Sequence, residues 1–185
     1  MAVLKPIQFV ICLALTAFAS LSAEEQDKLS EYQVKAQYLF YFAEFITWPA
    51  TAFSQPDQPF VIGIFGDDPF GRYLDDVVRG EKIGNRPIVV RRYGKVEDAV
   101  GCHVLYVGRI SDGLLELVLS GVKNKPTLIV GEAEDFFQLG GMIRFSINQE
   151  DKVRFTIKQE AAKAAKLEIS YKLLKLAEVL PAAKG

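Results

Sequence analysis

The chain holds one histidine and two cysteines, and His103 directly follows Cys102. Metal and thiol chemistry would therefore have to come from a single dipeptide. The segment CHVLYV reads as a central strand, in which successive side chains leave opposite faces. Cys102 and His103 then cannot share one metal ion, and the imidazole is out of reach as a base for the thiol. Cys102 is expected to be a buried core thiol and His103 a structural residue. The acidic pair Asp67 and Asp68 lies in FGDDPFG, residues 65–71. Adjacent carboxylates point differently, and with no second acidic cluster nearby they do not make an acid and base pair. Gly63, Gly66 and Gly71 lack the dinucleotide spacing, and two carboxylates would stand where a phosphate needs a helix N-terminus. Asp68 reads as an N-cap, stabilising the next helix by about 1 kcal/mol. G-x-S-x-G, Walker and H-E-x-x-H motifs do not occur. No catalytic residue, metal or cofactor is expected. Loops at a strand's end do bind ligands in α/β folds, which makes Asp67, Asp68 and Phe70 ligand-binding candidates.

The elements that would position these residues follow from periodicity. Leu29, Tyr32, Ala36, Leu39, Ala43 and Ile46 recur at helical spacing across residues 24–47, and Pro49 ends the run. From Leu39 to Trp48 the helix is apolar nearly all round, so both of its sides need cover. Sheet and neighbouring helix can supply it, or a partner can, and in the second case Tyr38, Tyr41, Phe42, Phe45 and Trp48 are the binding residues. Phe60–Phe65, Pro87–Arg92, Cys102–Val107 and Pro126–Val130 read as strands. Helices are expected between them, one begun by Pro69 and closed by Gly80 with Tyr73, Leu74, Val77 and Val78 inward, another capped by Ser111 or Asp112. Such alternation builds parallel crossover units.

The last third changes style. Ile143–Ile147 and Val153–Ile157 alternate apolar with polar residues and form an antiparallel hairpin, Ser146 opposite Arg154. Its outer face carries Arg144, Lys152, Arg154 and Lys158. That face either meets water or seats an anion or an acidic partner, with Arg144 and Arg154 as ligand-binding candidates. A helix from Ala161 to Leu180 is expected to close the chain. The fold class is α/β, a single domain with a mixed, mainly parallel sheet, helices on both faces, and a C-terminal antiparallel hairpin plus helix.

Lys5 followed by an apolar run to Ala19 has the layout of a secretory signal and is too short to span a membrane. Cleavage is expected after Ala19 or after Ala23, the second removing residues 1–23 and leaving residues 24–185 as one domain outside the membrane. Cys12 lies in the removed segment, so Cys102 has no internal disulfide partner. The 22 basic and 23 acidic residues of the whole chain argue against nucleic acid, which selects a basic surface.

In order along the chain, VKAQYLFYFAEFITWP, IGIFGDDPFG, CHVLYV, TLIVGE, GGMIRFSIN, VRFTIKQEAA and LEISYKLLKLAEV resemble the YfiR family, from about Tyr32 to Val179. The resemblance implies a periplasmic α/β domain that binds and represses an inner-membrane signalling protein such as a diguanylate cyclase, limiting cyclic di-GMP and biofilm formation. It implies no enzyme activity. The best-known members carry cysteine pairs linked to redox sensing, which this chain cannot form internally once processed. A small-ligand-binding module is the alternative function, and a homodimer the alternative assembly.

Overall fold

The structure, a computed structural model, describes residues 31–181. The signal segment expected at 1–23 and the first turns of the helix expected from residue 24 lie outside the described residues. In chain order the elements are helix α1 (31–45), strand β1 (Ile46–Thr47), β2 (Phe60–Phe65), helix α2 (Arg72–Val78), β3 (Lys82–Ile83), β4 (Arg86–Tyr93), β5 (Val104–Val107), helix α3 (Asp112–Gly121), β6 (Leu128–Gly131), β7 (Ile143–Ile147), β8 (Val153–Ile157), helix α4 (Gln159–Ala164), β9 (Glu168–Ile169), helix α5 (Tyr171–Leu174) and β10 (Glu178–Val179).

Strands that are apolar at every position must be covered on both faces, and β2, β5 and β6 are buried throughout. They form the middle of a sheet ordered β10-β8-β7-β6-β5-β2-β4-β3. The run from β4 through β7 is parallel, and β8 turns back antiparallel with Ser146 opposite Arg154, as the alternation predicts. Helix α1 packs on the face that shows Phe145 and Phe155, through Tyr38 and Phe42. Right-handed crossovers that run in opposite directions from the sheet's centre put α2 and α3 on opposite faces.

Four expectations need correction. Ile46 and Thr47 are not the helix's last residues but a strand, paired antiparallel with Ile169 and Glu168. Tyr73 does not face inward: α2 buries Leu74 and Val78, while Tyr73 is exposed. Asp68 does not cap α2, whose N-cap is Gly71. Its Oδ1 instead accepts the N–H groups of Phe70 and Gly71, at 2.9 and 3.2 Å, and so shapes the turn before the helix.

The fourth correction is the largest. The helix expected over 161–180 stops after one and a half turns, and the chain goes on as β9, α5 and β10. Lys166 adopts φ 60°, its N–H donates to the Lys163 carbonyl at 2.9 Å, and the N–H of Leu167 reaches the Ala162 carbonyl at 2.9 Å. This is the left-handed helix end that glycine usually forms, with Leu167 buried against the core in compensation. Ser170 then caps α5, its side chain accepting from the N–H of Lys172. Leu173 is buried as expected, but Leu176 is mostly exposed.

Candidate functional site

Parallel strands all end on one side of the sheet, and β2 is the point where the winding reverses. From β2 the chain crosses to β4 on one side, while β5 leads to β6 on the other. Clefts form outside the carboxyl ends of strands at such a reversal, and a cleft of about 580 Å³ lies there, between the loops that follow β2, β5 and β6. The loops are brought together by glycine. A Cβ on Gly108 would stand 2.0 Å from the carbonyl oxygen of Asp67, so the chain after β5 passes against the chain after β2 only because that atom is absent.

Asp67 and Asp68 both line the cleft, together with Arg109 and Asp112 at the start of α3. Asp68 is spent on structure. Its Oδ2 accepts from Arg92 Nε at 2.6 Å, and the same guanidinium donates to Asp75 Oδ2 at 2.6 Å and to the Gly71 carbonyl at 2.7 Å. The bond to Arg92 holds the Asp75 carboxyl below its ordinary range, and that bond and Asp68 together push the Arg92 pKa upward. Asp67 is exposed to solvent at the mouth. Phe70 is not a surface residue: it is buried and packs its ring edge-on to Tyr32 and Tyr106.

The wall beneath is a buried charge network that the sequence reading missed. Lys35 is 1% exposed. Its ammonium lies 2.8 Å from Glu132 Oε2, also pairs with Glu31 one turn earlier in α1, and sits 4.5 Å from the centre of the Tyr32 ring. Glu132 in turn accepts from the Tyr106 hydroxyl at 2.6 Å. Burial, and then the Glu132 carboxylate, push the Tyr106 pKa up, and the same two causes act on Tyr32. Both phenols therefore stay protonated. The signals for this network were present: Lys35 interrupts the apolar stripe of α1, and a tyrosine in a fully apolar strand needs a partner for its hydroxyl.

The other candidates are placed elsewhere. Arg144 and Arg154 lie on the hairpin and do not join Asp67, Asp68 and Phe70. The cationic face is also partly consumed: Arg144 donates to the Glu134 carbonyl at 3.0 Å and Lys158 to the Phe137 carbonyl at 2.8 Å, tying down the 133–139 loop. Lys152 pairs with Glu150. Among the aromatic candidates, Phe42 on α1 is fully buried and Trp48, just after β1, nearly so, the latter donating from Nε1 to the His103 carbonyl at 3.3 Å. Those two are core residues, because sheet and hairpin cover them. Tyr41 stands 41% exposed, and Tyr38 and Phe45 are partly covered.

Cys102 and His103 part company as expected. The Cys102 thiol donates to the Ala99 carbonyl at 3.1 Å, and burial pushes its pKa up to about 12. The His103 ring is stacked between Phe53 and Phe60, at 4.5 and 4.7 Å, with Nδ1 accepting the N–H of Val61 at 2.9 Å.

A family model described as YfiR/HmsC-like, DUF4154, matches residues 32–178. The chain belongs to this family. As a YfiR/HmsC-like protein it carries the family's domain across nearly all of its described residues, and the resemblance read from the ordered segments is correct. No curated protein matches the chain. Among the described residues, no helix is long and apolar enough to cross a membrane.

Proposed function

We propose that this YfiR/HmsC-like protein is exported to the periplasm, loses residues 1–23, and acts by binding and repressing an inner-membrane signalling protein of the diguanylate cyclase kind. It works through its surface, without catalysing a reaction. Membership of the family over residues 32–178 is the observation that carries this reading. The signal-like layout from Lys5 to Ala19 supports export. The structural use of Asp68, Cys102 and His103 supports action by binding, since each of these reactive groups is already committed to the fold. Deleting the gene should raise cyclic di-GMP, and pulling down the tagged protein from solubilised membranes should bring the partner with it. Unchanged nucleotide and no membrane partner would overturn the reading.

A second reading is favoured by the cleft at the winding reversal: the domain also binds a small ligand there, with Asp67, Arg109 and Asp112 at the mouth. The two functions are compatible, since a ligand that prefers one state shifts the affinity for a partner. A thermal-shift screen tests it, because a ligand at ~100 times its dissociation constant stabilises the fold by about 2.7 kcal/mol.

A further inference from the structure

We infer that residues 50–59 are an acid-sensitive latch: they close over His103 at the amino ends of the central strands and lift away once its ring takes up a second proton. This goes beyond the regulatory reading and does not depend on it. The imidazole is buried between two rings, Phe60 of β2 at 4.7 Å and Phe53 of the segment at 4.5 Å. Its Nδ1 accepts the N–H of Val61 at 2.9 Å, so the ring is neutral and carries its proton on Nε2. That N–H is directed toward the Ala52 backbone but completes no hydrogen bond. The place admits only this form. A proton on Nδ1 would set donor against donor at Val61 and leave a buried N–H without a partner. Two aromatic faces favour a cation, but burial disfavours it more and holds the pKa down to about 4. Of the titratable groups on the elements around the ring, Arg86 of β4 also opposes the charge, while Asp57 in the segment, Cys102 next in the chain and Lys125 ahead of β6 do not act on it.

The charged ring cannot escape by itself, because His103 is bonded into the sheet on both sides. Its N–H donates to the Val61 carbonyl at 2.9 Å, and its carbonyl accepts from Leu128 at 2.8 Å. What can move is the cover. No residue of 50–59 is buried. Among the described residues, the segment's hydrogen bonds to the rest of the molecule come from one side chain, Arg86, whose guanidinium donates to the Gln55 and Gln58 carbonyls at 3.0 and 2.7 Å and lies 3.9 Å from the centre of the Phe53 ring. A segment held this lightly opens at less cost than the domain unfolds. Closed, the ring titrates at about 4; open to water, it titrates at about 6.5. The latch is therefore fully shut well above pH 6.5. Below that, opening rises towards tenfold for each unit of pH, to a total on the order of 300-fold once the pH has passed below about 4. Lifting bares Phe60 together with the imidazole, so acid presents an apolar surface at the end of the sheet away from the cleft.

His103 is the only histidine, so in the chain purified without a histidine tag its ring titrates as a single NMR signal. The midpoint should lie well below ~6.5, and Phe53→Ala, which removes the lid, should raise it by about one unit or more. Hydrogen exchange of the Val61 amide and of residues 50–59, corrected for the intrinsic rate, should quicken by up to about tenfold from pH 6 to pH 5, while β5 and β6 stay protected. His103→Asn keeps an acceptor for the Val61 N–H and cannot titrate, so it should abolish that rise. Should His103→Asn fail to fold, the Phe53→Ala midpoint decides alone. Strands that lose protection together with the segment would mean unfolding of the domain in place of a latch, and would overturn the inference. So would exchange that ignores pH, a wild-type midpoint near ~6.5, or a midpoint that Phe53→Ala leaves where it was.

Discussion

The ammonium of Lys35 lies 2.8 Å from Glu132, joining the first helix to the carboxyl end of β6 through a lysine with almost no access to water. Replacing one member of a buried pair strands the other. Lys35→Ala is expected to lower stability by about 2–4 kcal/mol, less than a fully buried pair would lose because Glu132 keeps some contact with solvent. The double variant Lys35→Met with Glu132→Gln should recover part of that loss. Urea unfolding of the three proteins measures both.

Stability should fall on acidification through His103. Burial holds its imidazole neutral and brings the pKa down to about 4, against a smaller opposing effect of the Ala52 backbone. The unfolded chain titrates at about 6.5 and so takes up a proton that the folded chain refuses. The contribution is complete well above pH 6.5 and is lost as the pH falls from there towards about 4, with a total on the order of 3 kcal/mol. Urea midpoints across that window measure the slope, and His103→Phe should flatten it.

The Cys102 thiol should be inert in the folded protein. With its pKa pushed up to about 12 and its sulfur buried, almost no thiolate forms at neutral pH, and thiolate is the reactive species. A thiol reagent at pH 8 should label the native chain only as fast as it unfolds, and the denatured chain at once.

Gly108→Ala should open the cleft or unfold its rim. The added methyl has nowhere to go, since the Asp67 carbonyl occupies the position, and misfits of this kind cost about 1–3 kcal/mol. Melting temperature gives the cost, and hydrogen exchange over residues 65–68 and 107–110 shows whether the two loops have separated.

Much of the fold was legible because apolar runs have few places to go. Phe60–Phe65 was bounded correctly from its composition alone, and the hairpin register followed from the alternation around Asn148 and Lys152. The C-terminal segment was misread because Lys166 does what glycine announces elsewhere; its positive φ is paid back by burying Leu167, which composition does not reveal. Asp68 was placed in the right loop with the wrong task, since its partner Arg92 lies a strand away. The site's wall was missed for a related reason. Lys35, Tyr106 and Glu132 are remote in sequence, and each looks ordinary until the sheet puts them together.

That remoteness bears on the order in which the domain can close. Helix α1 carries a buried lysine with one carboxylate partner close by, Glu31, and a second, Glu132, far behind it in the chain. Until β6 is in place, docking α1 would bury that ammonium with Glu31 alone. The lysine thus defers commitment: it favours seating α1 on the sheet once β6 has brought Glu132 up to meet it.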